Sequence, residues 1–444
     1  MLRLNRQRPL KIHPHVAHKL AKEHADSSNK KTIVALAIIT AICLTGDSML
    51  YIVLPTQWKE IGLTSLVQVG MLLSINRFVR LPLNPLIGYI YKKVDFRKGI
   101  LLAVVLSGIT TIGYGIVEDI RIWVILRSSW GLAWSLFKLG SYLLILQLSN
   151  DLNRGNLMGT YNGLYKLGSL VGMLLGGVFA DLFGLKIISI FLGIFAFVSI
   201  YFVFKYIPKT IQGNEHPVLK GKSSFIDTIK MIRNKKIMNI LFTAFLFNML
   251  LNGMLTATLS HVINVKFADE LEMLGVALGA ATVAGILQAL RWGMLPFITP
   301  KVGSLLDKTK NKNIFLEVSF VCAAIFLFLI PLPIQLGIWL PIMFVNLLIS
   351  SIIITIIDSI LTDYVSKRKN KVFIMTTFTV IVDLGAALGP ISSYTMEQKV
   401  GLTSLFWLSA GIALLLSVYW FLTSTPSTTA TKCTQSRLFR NKEI

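Results

Sequence analysis

The 444-residue chain is 54% hydrophobic with a mean hydropathy of +0.67, and its 44 Lys and Arg outnumber 21 Asp and Glu to give a formal net charge of +23. Apolar runs of about 20 residues recur from end to end, each long enough to cross a hydrocarbon core of about 30 Å as a helix. A soluble globular fold is excluded and an all-α polytopic membrane protein is predicted. The basic surplus follows the loops between the runs, which excludes nucleic acid as its partner.

Twelve spans are predicted, at roughly 32–54, 66–91, 98–117, 121–148, 157–180, 185–206, 237–264, 274–298, 313–332, 336–363, 372–396 and 402–423. Residues 1–31 precede them as a basic tail with no apolar core, so they do not read as a cleavable signal peptide. Their cluster His13, His15, His18 and His24 reads either as a metal-binding tract or as part of a solvated tail. Five basic residues (Lys59, Arg121, Lys186, Lys266, Lys399) fall in the loops on one side, six lie inside spans, and the rest sit on the other side with both termini. By the positive-inside rule both termini are cytoplasmic, and the surplus meets anionic lipid. Cys43 and Cys322 lie in spans and Cys433 in the C-terminal tail, leaving no outer pair for a disulfide.

Span 1 carries Asp47, fifteen residues after Thr32 and hence about 22 Å along the helix, in its outer half. It reads either as a proton-coupling carboxylate, whose burial or cation neighbour changes during transport, or as a permanently ionised partner of an Arg or a cap at Gly46. Span 2 holds Arg77 and Arg80, eleven and eight residues before Gly88 and too deep to snorkel. In span 4, Arg127, Gly131, Trp134 and Lys138 follow at steps of four, three and four and share one face. Arg127 is either a cavity cation or a latch on backbone carbonyls. Span 5 brings Lys166 and a stripe of Gly168, Gly172, Gly176 and Gly177, which lets helices approach closely either at a rocking interface or as ordinary packing.

A polar, basic stretch (Lys209 to Lys236) separates two halves and patterns partly as a helix on the inner membrane surface. The expected organisation is a tail at 1–31, a six-helix bundle at 32–206, a linker at 207–236, a second bundle at 237–423 and a tail at 424–444. In the second half, His261 in span 7 reads as a packed residue, Arg291 in span 8 is a deep cation, and Glu317 in span 9 is expected to snorkel. Asp358 in span 10 is either a cavity carboxylate or a helix-end polar group. Asp383 lies in span 11, ahead of Gly385, Gly389 and Pro390. The first half thus carries the basic intramembrane charges with one acid, and the second the acidic ones with one base.

The halves echo each other: Gly46 pairs with Gly253, Pro85 with Pro300, Gly88 with Gly303, Gly168 with Gly385 and Gly172 with Gly389. Together with the loop "GSLLDKTK" (Gly303, Asp307, Lys308, Lys310), the Arg127–Gly131 spacing, "GSLVGMLLGG" and "GGVFADLFG", these features resemble the major facilitator superfamily, and within it drug:proton antiporters. The sequence departs from that pattern at Lys92, where the first gate loop has an acid, and at Met173, where the antiporter glycine stripe has Pro.

The resemblance implies two pseudo-symmetric six-helix bundles, a cavity lined by helices 1, 4, 7 and 10, and contacts of helix 2 with 11 and of 5 with 8. It implies alternating access, with proton-coupled efflux of a small amphiphilic or anionic solute as the leading expectation. A proton-linked importer of an organic anion, a lipid or lipid-linked sugar flippase, and a non-transporting receptor stay open. Asp47, Asp358 and Asp383 are the proton-coupling candidates, and Arg77, Arg80, Arg127, Trp134, Lys138, Lys166 and Arg291 the cavity candidates. The gate candidates are Gly88, Gly303, Asp307 and Lys308. No nucleotide loop or metal-ligand spacing occurs in the spans, so no cofactor and no enzymatic activity are expected. The expected partners are a small-molecule substrate, protons and membrane lipid, around a monomer in the cell membrane.

Overall fold

The computed structural model describes residues 14–91, 93–149, 153–209, 234–273, 279–309, 311–366 and 371–424. The histidine-tract residue His13, Lys92, the basic linker from 210 to 233, Lys310 and Cys433 lie outside the described residues. All regular structure among the described residues is helical. The first six helices are α1 (Pro14–Gln57), α2 (Leu66–Ile90), α3 (Phe96–Ile116), α4 (Ile120–Leu148) and the pair α5 and α6 within Arg154–Tyr206. The second six begin with α7, which runs through Lys235–Phe247, a π-helical segment Asn248–Met254 and Leu255–Met273. There follow α8 (Ala280–Lys308), α9 (Lys312–Leu329), α10 (Leu336–Ser366) and the pair α11 and α12 within Lys371–Ser424.

Ten of these helical stretches are long and apolar enough to cross a membrane. Two of the ten contain a break at a positive-φ glycine, Gly184 (φ 78°) and Gly401 (φ 82°), and these two breaks turn ten stretches into twelve spans. A side chain is disfavoured at that φ, so glycine is what lets a helix reverse within one residue. The sequence-based boundaries differ mainly at α1, which is helical from Pro14 rather than from Thr32, and at α7, which is helical to Met273 rather than to 264. Prolines sit inside α2 (Pro82, Pro85) and α8 (Pro296, Pro300), with Pro85 and Pro300 in matching positions of the two halves. In a bundle, neighbouring helices satisfy the carbonyls that such prolines free.

The chain alternates direction, so the bundle has a termini side, where 14, 148, 206, 235, 308 and 424 lie, and a loop side opposite. Two apolar clusters show how the halves meet. One is built only from the termini-side part of the first half, including Ile33, Leu36, Ile87, Phe137, Leu157 and Val203. The other joins the loop-side part of the first half (Met49 to Leu54, Leu72, Met173, Ala180) to the second half (Leu250, Leu259, Ala281, Ala284, Tyr394). Backbone contacts agree. A Cβ added at Gly177 would strike the Ala281 carbonyl, one at Gly285 the Met173 carbonyl, and one at Gly70 the Pro390 carbonyl. Ser74 Oγ also accepts a hydrogen bond from Ile391 N at 3.2 Å. At the termini side, by contrast, a Cβ at Gly159, Gly163 or Gly303 would meet nothing within 4 Å. Among the described residues the seam between the halves is packed on the loop side, and toward the termini side a cavity lies between α5 and α8.

Of the two readings of the glycine stripe, rocking interface or ordinary packing, three of its four residues fit the second. Gly168, Gly172 and Gly176 pack inside the first half, against Ala41, Thr45 and Met49 of α1, and only Gly177 faces the other half. The same arrangement recurs in the second half, where Gly385 and Gly389 lie on Phe245 and Met249 of α7, with Gly389 against Gly253. Parallel helices with small residues every fourth position come close enough for backbone-to-backbone contact. Because the atoms that a Cβ at Gly172 would strike are the main chain of Thr45, Gly172→Ala is expected to cost about 1–3 kcal/mol. Gly411→Ala, with nothing within 4 Å, should stay within about 0.5 kcal/mol. Thermal unfolding in detergent compares the two, and equal midpoints would show that the α1–α5 contact carries no energy.

Candidate functional site

Three groups of charges occupy the interior, and each draws on side chains that the sequence singled out. The first is sealed within the first half. Arg127 of α4, 0% exposed, donates from Nη1 to Asp47 Oδ1 of α1 at 2.5 Å and from Nε to the Leu72 carbonyl of α2 at 2.8 Å. Asn76 Nδ2 donates to the same Asp47 oxygen at 3.3 Å, and Arg127 lies over the Tyr114 ring, which stacks on Trp123. Close approach of α4 to α2 needs Gly131, where a Cβ would meet the Asn76 carbonyl. Arg127 Nη2 remains buried without a partner. Of the two readings of Arg127, cavity cation or latch on backbone carbonyls, this geometry fits the latch, with the guanidinium taken up by Asp47 and the Leu72 carbonyl.

The second group lies further toward the termini side and crosses the seam. Asp383 of α11 is within electrostatic reach of Arg80 and Arg77 of α2 and of Lys138 of α4. Arg77 Nε donates to Tyr51 Oη at 3.2 Å and stacks over that ring, whereas Arg80 Nε is buried without a partner. The wall beside them is aromatic: Trp134 meets Tyr165 edge-on at 5.7 Å, and Tyr165 and Tyr142 flank Tyr161.

The third group also crosses the seam, between α5, α8 and α10. Lys166 sits 6.0 Å from the Trp292 ring and within electrostatic reach of Asp358 and Arg291. Arg291, 5% exposed, donates from Nε to Ser351 Oγ at 2.9 Å and from Nη1 to Gln288 Oε1 at 3.5 Å, and lies 5.4 Å from the Trp292 ring. A cavity of about 260 Å³ lies between α5 and α8, lined by Asn162, Gly163, Lys166, Trp292, Pro296 and Thr299 among others. A larger one, about 790 Å³, is at the termini end of the second half, around Asn234, Lys236, Asp363 and Trp420, away from these charges.

With this geometry in view, the sequence model described as Major Facilitator Superfamily matches residues 36–390. The chain belongs to the Major Facilitator Superfamily. The multidrug resistance protein MdtG of Escherichia coli (strain K12 / DH10B) is 22% identical over 392 residues, covering 85% of this chain and 90% of MdtG. Among solved structures, the nucleoside transporter NupG superposes with a TM-score of 0.70 at 13% identity, covering 90% of this chain and 100% of NupG. A bacterial homolog of the human lysosomal transporter Spinster, inward-facing and occupied, gives 0.69 at 13% identity, covering 88% of this chain and 96% of that one. These likenesses establish a multi-pass transporter fold.

The residues expected at the gate, Gly88, Gly303, Asp307 and Lys308, lie at the termini-side ends of α2 and α8. A Cβ added at Gly88 would meet Leu139 at 3.6 Å, Asp307 is exposed and 3.9 Å from Lys312, and Lys308 ends α8 in solvent. Lys312 instead pairs closely with Asp363 at 2.7 Å. Glu317, expected to snorkel, is buried, with its carbonyl accepting from Ser417 Oγ of α12. His261 is packed as expected and gains a partner, Glu397, at 2.6 Å. Outside the membrane-spanning part, Glu118 accepts a hydrogen bond from Lys186 at 2.7 Å, which holds its carboxyl below the usual range.

The sequence reading missed Asp181. This residue ends α5 within "FADLFG", a phrase whose family likeness was legible although its role was not. Asp181 Oδ2 accepts from both Thr282 N and Thr282 Oγ1 at 2.7 Å, so the first half caps the N-terminus of α8 across the closed seam. Gln57 braces the same corner, donating to the Ala180 carbonyl and accepting from Leu185 N. A lost N-cap costs about 0.5–2 kcal/mol. Asp181→Ala is therefore expected to raise the population open on the loop side roughly 2- to 30-fold. A cysteine at Ala281, now buried, should label faster from the loop side in that background, and an unchanged rate would remove Asp181 as a latch.

Proposed function

We propose that the protein exports a small amphiphilic or anionic solute in exchange for protons, with both termini in the cytoplasm of a cell whose plasma membrane it spans. What supports this reading is the asymmetry of the seam. A seam packed on the loop side, with a cavity between α5 and α8 toward the termini side and acids of the second half facing bases of the first, fits an inward-open state awaiting substrate from the cytoplasm. The distribution of Lys and Arg supports the orientation, and the distant likeness to MdtG supports the direction.

In this cycle Asp47 carries the proton. It lies in the loop-side third of α1, 8% exposed and two residues before Met49 of the apolar cluster that joins the halves, so opening the seam loosens the packing around it and admits outside water. Protonation neutralises Asp47 and releases Arg127, and closure restores the pair, which returns the proton to the inside. Binding energy alone cannot drive net flux. A group that exchanges protons on alternate sides can couple flux to the gradient.

Everted vesicles with an imposed pH gradient test the reading. Asp47→Asn preserves shape and hydrogen bonding but cannot titrate, so it should abolish gradient-driven accumulation while leaving substrate exchange between compartments of equal pH. Full gradient-driven transport by the Asn variant would remove Asp47 from coupling. Labelling of a cysteine at Lys432 by an impermeant reagent from the outside of intact cells would reverse the orientation.

A further inference from the structure

The first half spends its deepest cation on Asp47; the second half does not. Arg291 lies near the middle of α8 and is bonded only to neutral groups, Ser351 and the Gln288 carbonyl oxygen. Among the described residues no carboxylate forms an ion pair with it within 4.0 Å. An isolated buried cation is costly unless something negative joins it.

The groups beside Arg291 have the same bias. Gln288, Arg291 and Trp292 stand at i, i+3 and i+4 and therefore share one face of α8. Gln288 Nε2 and Trp292 Nε1 are both buried donors with no acceptor, and Gln288 itself is 0% exposed. Lys166 faces this turn from α5 across the seam, beside the cavity of about 260 Å³ that opens next to Trp292. The local supply is several donors, two of them cationic, with too few acceptors. The one acid within reach of Lys166 is Asp358, on α10 two turns beyond Ser351, and it is exposed. That imbalance suits an oxyanion, which offers acceptors only.

We infer that the turn Gln288–Trp292 of α8, closed by Lys166 of α5, is the subsite for the oxyanion of an organic anion, a carboxylate or phosphate carried on an apolar body. The oxyanion bonds Arg291, Gln288 Nε2 and Trp292 Nε1, and the apolar body occupies the cavity beside the Trp292 ring. Because Lys166 and Arg291 belong to opposite halves, a bound anion bridges the seam and favours the conformation that brings them together. This inference rests on the transport reading above for its setting, and it narrows the substrate from an amphiphile of any charge to an anion.

The test is binding to the full-length protein in phosphatidylcholine vesicles, which needs no gradient and so stands apart from the test of coupling. The probes are 1-naphthoate, its neutral counterpart 1-naphthamide, dodecyl phosphate and inorganic phosphate, read by quenching of tryptophan fluorescence and by thermal protection. A charge-assisted contact predicts that 1-naphthoate or dodecyl phosphate binds at least about tenfold more tightly than 1-naphthamide. Arg291→Gln should erase that preference. Lys166→Gln, at an exposed position, should weaken the organic anion by a few-fold without lowering the melting temperature, so the inference stays testable if the Arg291 variant misfolds.

Binding of inorganic phosphate as tight as that of the organic anions would assign the turn to a free ion and overturn the substrate subsite. Competition by added phosphatidylglycerol, with no saturable naphthoate or dodecyl phosphate binding, would assign it to a lipid headgroup and overturn it equally. Equal affinity for amide and carboxylate, no binding by any anion of the set, or an unchanged preference in both variants would each sink the inference. Tight anion binding with no proton-driven flux would leave it standing and defeat the coupling reading instead.

Discussion

Arg127→Met is expected to destabilise the protein by about 3–5 kcal/mol, because it strands the Asp47 carboxylate in a buried site with Asn76 as its remaining polar neighbour. Asp47→Asn should cost less, about 1–2 kcal/mol, because the amide oxygen still accepts from Arg127, which also keeps the Leu72 carbonyl. Removing both charges tells the pair's energy apart from the packing around it. In Asp47→Asn with Arg127→Met no ion is left uncompensated, so the double variant should be more stable than the sum of the singles implies, by 1 kcal/mol or more on the scale of about 0.5–3 kcal/mol seen for coupled neighbours. Denaturant or thermal unfolding of the four proteins in one detergent gives the cycle. Additivity to within about 0.5 kcal/mol would show that the two charges do not act as a unit. The distinction bears on function, since a pair whose members depend on each other for stability ties a protonation event at Asp47 to the position of α4 and, through Leu72, of α2.

Neutralising Asp383 should nearly abolish transport, and restoring it from the opposite side of the seam should recover part of the activity. Among the described residues Asp383 is the acid of the second half within electrostatic reach of Arg80, Lys138 and Arg77. With Asp383→Asn, three cations of the first half face an uncharged wall, and the attraction that draws the halves together on the termini side is lost. A drop of at least about tenfold in flux is expected, equivalent to about 1.4 kcal/mol. Asp383→Arg paired with Arg80→Asp re-creates one opposite-charge contact and should outperform Asp383→Asn, because a single substitution leaves unmatched charge that the exchange removes. Flux in proteoliposomes, normalised to reconstituted protein, measures it. Should no exchange of Asp383 with Arg80, Lys138 or Arg77 recover any flux, the cross-seam attraction is not what closes the termini side.

The membrane fold and its twelve spans were legible in the sequence because hydropathy is additive along a helix: about 20 apolar residues must cross, wherever they sit in the bundle. So was the opposite sign of the intramembrane charges in the two halves, since insertion makes each such charge expensive and therefore rare enough to count. The repeat was legible too, and Gly168 and Gly172 do use α1 as Gly385 and Gly389 use α7. What tertiary structure alone decided is which neighbour each face meets. The helical period put Arg127, Trp134 and Lys138 on one face of α4, but it could not say that Arg127 would be spent on Asp47 and Leu72 while Lys138 faces Asp383. Nor could it give Asp181 its role: that residue reads as a polar end to α5 until the N-terminus of α8, 101 positions later, is set against it. Burial along one helix is a property of its own residues, whereas an ion pair or a cap between helices exists only once packing has brought distant residues within about 3 Å of each other.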